Sequence, residues 1–136
     1  MTPTAFTLLS LVAWTVVLLL SLGAYRSALV LGGARAANSF NATGEDLDGF
    51  GKRLTRAHAN CYESLPIIGI VFLYAIATGQ TAITDGLAFV VLGARIAQSV
   101  THIISTSRTF VFIRFGFFLV QIGILVFWLL KLFQYI

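Results

Sequence analysis

The chain has 136 residues, of which 58% are hydrophobic and 10% charged, and its formal net charge is +4 at pH 7. Soluble domains average about 45–50% apolar and about 25% charged residues, so a water-soluble fold could not bury this much apolar surface. The positive charge is small and scattered, whereas nucleic-acid binding needs a clustered basic face. The composition therefore predicts an integral membrane protein.

Four apolar runs, each long enough for a spanning helix of about 20 residues, fill the chain. The first run is too long for a signal-peptide core of about 7–15 residues, so we expect it to be retained as a span. Gly32, Gly33 and Gly79 can end the first two helices, and Thr81 or Thr84 can cap the third. Short connections predict an all-α, up-down four-helix bundle. We expect one domain, 1–136, with spans at about 6–31, 51–78, 82–105 and 108–133.

Basic residues concentrate in the connections at one end of this predicted bundle. The first connection, its flanks and the third connection hold Arg35, Lys52, Arg53, Arg56 and Arg108. The second connection carries only Asp85, and Lys131 near the C-terminus is the exception. Because cytoplasmic connections are enriched in Lys and Arg, we expect both termini outside and the functional groups at the cytoplasmic face. A bacterial inner membrane is the expected location.

Polar residues recur at helical spacing within the predicted spans. One quadrant of the second helix holds Arg53, Arg56, Asn60 and Glu63, spaced by 3, 4 and 3 residues, and His58 points elsewhere. One face of the third helix holds Arg95, Gln98 and His102, and the fourth helix carries Arg108, Thr109 and Arg114. An ionisable group at bilayer depth is costly, so its presence predicts a function.

Cations outnumber acids in this set, which we expect to be buried. The four arginines Arg56, Arg95, Arg108 and Arg114 are set against Glu63 alone. Unpaired buried guanidinium groups are costly, and their planar donors suit carboxylates, so an anionic ligand is expected. A small zwitterionic peptide with extra carboxylates fits, since Glu63 and Asn60 add sites for an ammonium group and for amides. Alternatively, Arg56–Glu63 or Glu63–Arg95 are structural ion pairs that hold the helices together.

The run Arg56-Ala-His-Ala-Asn60-Cys-Tyr-Glu63, with Pro66 three residues later, resembles the second-helix signature of the MAPEG family. These are the membrane-associated proteins of eicosanoid and glutathione metabolism. The similarity extends to Ala94-Arg95 on the third helix and to Arg108-Thr109 at the start of the fourth, and it covers essentially the whole chain. It implies a homotrimer that binds glutathione between subunits near the cytoplasmic face.

The resemblance also implies roles for individual residues. The implied glutathione-binding residues are Arg56, His58, Asn60, Glu63, Arg95, Gln98 and His102. His58 and Arg35 match positions that reach the glutathione of the neighbouring subunit. Arg108 matches the arginine at the glutathione sulfur, where Thr109 could donate a hydrogen bond and Arg35 could protonate a leaving oxygen. Nearby cations favour the thiolate, whose ordinary pKa is about 8.5.

The expected function is a glutathione transferase, with possible peroxidase activity, that acts on lipophilic electrophiles or hydroperoxides in detoxification. The family's best-known enzymes differ at Gln98, His102, Phe112 and Ser64, so no particular eicosanoid reaction is favoured. One alternative is a non-catalytic scaffold that binds lipids or a partner, and another is a small four-span exporter with Glu63 as its proton site. No metal is expected, and Cys61 is interpreted as a packing residue.

Overall fold

The computed structural model describes residues 1–134 and 136, and these form four helices with no strand. The helices are α1 Pro3–Leu31, α2 Gly49–Ala77, α3 Thr81–Ile104 and α4 Arg108–Leu132. All four are long and apolar enough to cross a membrane. The predicted all-α architecture of four spans is therefore confirmed, and the chain is a multi-pass integral membrane protein. α1 and α2 begin at Pro3 and Gly49, slightly before the predicted starts.

Glycines end the first two helices, as predicted. Gly33 follows α1 with φ +73°, and Gly79 follows α2 with φ +69°. Glycine adopts this left-handed conformation without the steric cost that a Cβ would bring. After α2, the amides of Gly79 and Gln80 donate back to the carbonyls of Ile76 and Ala75, at 3.2 and 2.7 Å. These bonds satisfy carbonyl groups that the helix end would otherwise leave unpaired.

The predicted cap of α3 is wrong, because its threonine is used in a contact between helices. The N-cap position belongs to Gln80, and no side chain caps it. Thr84 is fully buried, with its hydroxyl 2.6 Å from that of Thr4 in α1. The amide and hydroxyl of Thr4 also donate to Asp85 Oδ1, at 2.9 and 2.6 Å. Asp85 therefore lies within α3, where it binds the first turn of α1, and is not in the connection as expected.

The helices pack around two apolar clusters. The larger draws on all four helices and contains Leu11, Ile68, Val71, Phe72, Ala88, Val91, Leu125 and Trp128. The smaller contains Leu18, Leu22, Leu54 and Cys61. Among the described residues, α1 and α4 make no contact, because α2 and α3 lie between them.

α4 is the least buried helix. Its buried side chains are Gln121, Leu125 and Trp128, so it packs on the bundle through one narrow stripe in its second half. The 13 residues from 108 to 120 include none that is buried. α4 therefore packs mainly on α3, contacts α2 at few points and buries no side chain in its first half.

Candidate functional site

The loop between α1 and α2, residues 32–48, folds around Arg35. Its guanidinium donates to Asp46 Oδ2 at 2.6 Å and to the Ser39 carbonyl at 2.7 Å. The same group lies 4.9 Å from the centre of the Phe40 ring, within the range of a cation–π contact. Arg35–Asp46 is the one ion pair in the described part of the chain. Arg35 is therefore neutralised by its own loop, whereas the predicted proton-transfer role requires a guanidinium free to meet a substrate.

A second group of cations surrounds a cavity of about 160 Å³, named here the cationic cavity. It is lined by Gly49, Lys52, Arg53, Arg56, His102 and Thr106. Arg53 Nε donates to the Ile103 carbonyl at 2.6 Å, which fixes the side chain and ties α2 to the end of α3. His102, in the last turn of α3, is partly buried beside these cations. No carboxylate lines this cavity, so its residues present positive charge without an internal counterion.

A third group of polar residues lies deeper, at a cavity of about 180 Å³ named here the inner cavity. It is lined by Asn60, Glu63, Ser64, Ile67, Ile68, Arg95, Phe118, Gln121, Ile122 and Leu125. Arg95 is 4% exposed and donates to Asn60 Oδ1 at 2.7 Å. The polar stripe of α2 and the polar face of α3 therefore meet here, while the apolar lining comes from α2 and α4.

Gln121 is a component of this cavity that the sequence analysis missed. Its Nε2 donates to Gln98 Oε1 and to the Phe117 carbonyl, both at 2.9 Å. Gln121 and Gln98 are 2% and 5% exposed, so an amide pair joins α3 to α4 inside the bundle. A lone amide within an otherwise apolar run is itself a signal of a polar contact at bilayer depth. Phe118 also lines the inner cavity.

The predicted binding residues are thus divided between two cavities that follow one another along α2. Arg56 and His102 line the cationic cavity, and Asn60, Glu63 and Arg95 line the inner cavity. Gln98 reaches the second group only through Gln121.

Besides Arg35 and Gln98, three predicted site residues lie outside both cavities. His58 is half-buried, and its ring centre is 5.1 Å from that of Tyr62 on its own helix. Arg108 and Thr109 are the first two residues of α4, and both are exposed. Ser107 occupies the N-cap position of α4 but makes no side-chain cap hydrogen bond.

The burial of the four arginines and the pairing of Glu63 differ from what the sequence predicted. Of the four arginines expected to be buried, only Arg95 is buried within one subunit, and Arg56 and Arg108 are exposed. Neither Arg56–Glu63 nor Glu63–Arg95 forms an ion pair, so the alternative of structural ion pairs is wrong for one subunit. Glu63 is exposed on a spanning helix without an ionic partner in the described chain.

Cys61 is 2% exposed, and its Sγ lies 3.1 Å from Ser99 Oγ, consistent with a packing residue. No group of three or more His, Cys, Asp or Glu residues gathers in the described parts of the chain.

The fold and the site together define the class of this protein, which is a multi-pass membrane bundle of four spanning helices with polar residues on their inner faces. The MAPEG family model matches residues 4–134, nearly the full length of the sequence, and the chain therefore belongs to the MAPEG family. Comparison with curated proteins and with solved structures gave no match. Membership identifies a membrane protein of the type found in glutathione and eicosanoid metabolism.

Proposed function

We propose that the protein is a glutathione-dependent transferase that conjugates lipophilic electrophiles and has peroxidase activity. The observation that carries the proposal is the sequence of charges along one stripe of α2. Cations without a counterion line the cationic cavity, and Asn60, Arg95 and Glu63 follow in the inner cavity. Glutathione has two carboxylates, two amides and one ammonium group, which complement this order.

The dimensions of the stripe also support a tripeptide. Glu63 follows Arg56 by seven positions, which corresponds to about 10 Å along a helix axis. Three extended residues also span about 10 Å. A carboxylate in the cationic cavity and an ammonium group at Glu63 would therefore bind at the two ends of one extended glutathione molecule.

The chemistry follows from the charge at the sulfur. Cations near a thiol favour the thiolate, and a poorly hydrated site strengthens that effect. In the proposed reaction the thiolate forms a bond to the electrophilic carbon, and the leaving group departs with the electron pair. Arg108 would stabilise the thiolate, with Thr109 as a hydrogen-bond donor. Arg35 would act only after its release from Asp46.

A homotrimer would complete this site. Arg56, Glu63 and Arg108 are exposed in one subunit, and an ionisable group at bilayer depth normally faces protein or a water-filled cavity. A neighbouring subunit packed on α2 would enclose these groups. In this proposal the basic end of the bundle, which holds loop 32–48, faces the cytoplasm of a bacterial cell.

Glutathione binding by calorimetry tests the proposal directly. We expect Arg56→Ala to weaken binding about 10- to 100-fold, the usual effect of losing a charge-assisted hydrogen bond. Lys131→Ala is the matched control, because it removes a cation at the other end of the bundle and should leave affinity unchanged. Equal affinity in wild type and Arg56→Ala would contradict the proposal.

The non-catalytic scaffold remains a second candidate because Arg35 is paired with Asp46 and Arg108 lies outside both cavities. A conjugation assay with chlorodinitrobenzene separates the two functions. Glutathione binding without conjugate formation would favour the scaffold. Conjugation that falls in Arg108→Ala supports the enzyme.

A further inference from the structure

We propose that a groove on the surface of α1 binds the headgroup of an anionic phospholipid, with Arg26 as the partner of its phosphate. The groove, named here the α1 groove, has a volume of about 590 Å³, and Gly23, Arg26, Ser27, Val30 and Phe40 are among its lining residues. None of its lining residues belongs to the cationic cavity or to the inner cavity, so the inference does not depend on the proposed function.

Arg26 is a cation without an ionic partner in the described chain. Its guanidinium donates to the Asn41 carbonyl at 3.3 Å and lies 5.5 Å from the centre of the Phe40 ring. These contacts hold the side chain against the loop, and the hydrogen bond uses one of its five N–H donors. The ion pair Arg35–Asp46 is the one that the described residues form, so no carboxylate neutralises Arg26. Arg26 therefore brings an uncompensated positive charge to the α1 groove.

The chemistry of this cation favours a phosphate that carries net negative charge. A guanidinium presents planar N–H donors that match the oxygens of a phosphate. A zwitterionic headgroup brings its own ammonium group, which already compensates the phosphate. A headgroup without a cation, such as that of phosphatidylglycerol, leaves the phosphate charge to the protein.

The depth of Arg26 matches the depth of lipid phosphates. α1 has 29 residues, so it is about 43 Å long, close to the thickness of a bilayer with both headgroup layers, about 40–45 Å. The hydrocarbon core takes about 30 Å, which leaves about 6–7 Å of a centred α1 in each headgroup layer. Arg26 lies five residues before the end of α1, about 7 Å along the axis. It is therefore placed where the headgroup layer meets the hydrocarbon core.

Exposed apolar side chains continue the α1 groove toward the centre of the bilayer. Val12, Val16 and Leu19 are 41%, 44% and 51% exposed. They precede Arg26 by 14, 10 and 7 positions, so they lie on its face of the helix. An acyl chain can pack along this stripe while the phosphate meets Arg26 and the exposed residue Ser27. A free phosphate ion would not use the stripe, so the surface fits a lipid.

Native mass spectrometry of the full-length protein tests the inference by titration with phosphatidylglycerol or phosphatidylcholine in detergent micelles. We expect phosphatidylglycerol to bind at about one tenth of the concentration that phosphatidylcholine needs, the effect of one charge-assisted contact. Arg26→Gln should abolish this preference. Lys131→Gln is the matched control and should keep it, because it removes a cation at the other end of the bundle.

A second substitution tests the α1 groove without removing the charge. A Cβ at Gly23 would meet no atom within 4 Å, so Gly23→Trp should fill the groove and leave the fold intact. We expect it to weaken phosphatidylglycerol binding about tenfold, which keeps the test valid if Arg26→Gln fails to fold. Gly86→Trp on α3 is the matched control, because Gly86 is also exposed and has the same open space. It should bind as the wild type does.

Four outcomes would overturn the inference. Equal affinity of the wild type for the two lipids would show that Arg26 selects no anionic headgroup. Displacement of phosphatidylglycerol by millimolar inorganic phosphate would assign the site to a free anion. Binding that is lost in Lys52→Gln and kept in Arg26→Gln would place the lipid in the cationic cavity. Dissociation of an oligomer by Gly23→Trp would assign the α1 groove to a contact between subunits.

Discussion

Asp46 holds Arg35 within the loop through a side-chain hydrogen bond of 2.6 Å, and Ser39 supplies two further acceptors. This bond keeps the pKa of the Asp46 carboxyl below its ordinary value. A carboxyl whose pKa is lowered by folding stabilises the folded loop above its ordinary pKa, and that contribution is lost as the pH falls through the lowered value. Acid is therefore expected to release Arg35 from its loop.

Titration of the Asp46 carboxyl tests this pair. We expect the midpoint, followed by the NMR shift of the carboxyl carbon, to rise in Arg35→Ala because the hydrogen bond is removed. Lys52→Ala, which removes an exposed cation near the same end of the bundle, should leave the midpoint in place. An unchanged midpoint in Arg35→Ala would show that the two side chains are not paired in the membrane protein.

The polar residues show what a sequence can and cannot predict about single positions. The spacing along α2 and α3 predicted polar faces, and Asn60 and Arg95 do meet. Gln121 escaped prediction because its only polar neighbour on the same face of α4, Arg114, lies two turns away, and its partner Gln98 is on another helix. The contacts of Arg35 were not predicted for a related reason. Its partners lie in a loop, and no periodic pattern in the sequence describes the turn that brings them together.

Helices α1 and α3 are joined at one end by Asp85, which accepts both the amide and the hydroxyl of Thr4. Asp85→Ala should leave the amide of Thr4 without this acceptor inside a buried contact. We expect it to lower the free energy of unfolding by about 2 kcal/mol, the usual cost of an unpaired buried polar group. Reversible unfolding in mixed micelles provides the measurement.

Asp48→Ala is the control for that experiment. Asp48 occupies the N-cap of α2 but makes no side-chain cap bond, so its removal should have little effect. If Asp48→Ala and Asp85→Ala lowered the free energy of unfolding equally, the contact between α1 and α3 would contribute no specific stability.

The ends of helices could be predicted where a glycine adopts positive φ. They could not be predicted where a polar side chain can bond either to its own helix or to a neighbouring one. Gly33 and Gly79 adopt positive φ at the predicted ends. Thr84 could have capped α3 but instead contacts α1, because burial against Thr4 competes with local capping. The positions of the four spans could be predicted from the lengths of the apolar runs alone, without knowledge of how the helices pack.

At the scale of the whole molecule, the exposed face of α2 is the surface where we expect a second subunit to bind. Glu63 and Ile70 are seven residues apart and both are exposed, so they share one face of the helix. A carboxylate at this depth calls for a protein partner, whereas an apolar side chain alone does not. We therefore expect α2 to contribute to the interface of the proposed homotrimer.

Native mass spectrometry of Ile70→Trp tests that expectation. The bulkier side chain should shift the protein from trimer toward monomer, because it would not fit a packed interface. Leu20→Trp is the matched control, since Leu20 on α1 is 66% exposed and Ile70 is 65% exposed. A trimer that persists in Ile70→Trp and dissociates in Leu20→Trp would assign the interface to α1.

The lack of buried side chains in the first half of α4 has a consequence for engineering and for evolution. Because no side chain between 108 and 120 is buried within a subunit, substitutions there leave the packed interior of the bundle intact. Phe118 of the same stretch lines the inner cavity. Random libraries confined to residues 110–120, with Arg108 and Thr109 kept, could therefore broaden or redirect the range of accepted compounds while the scaffold keeps its shape.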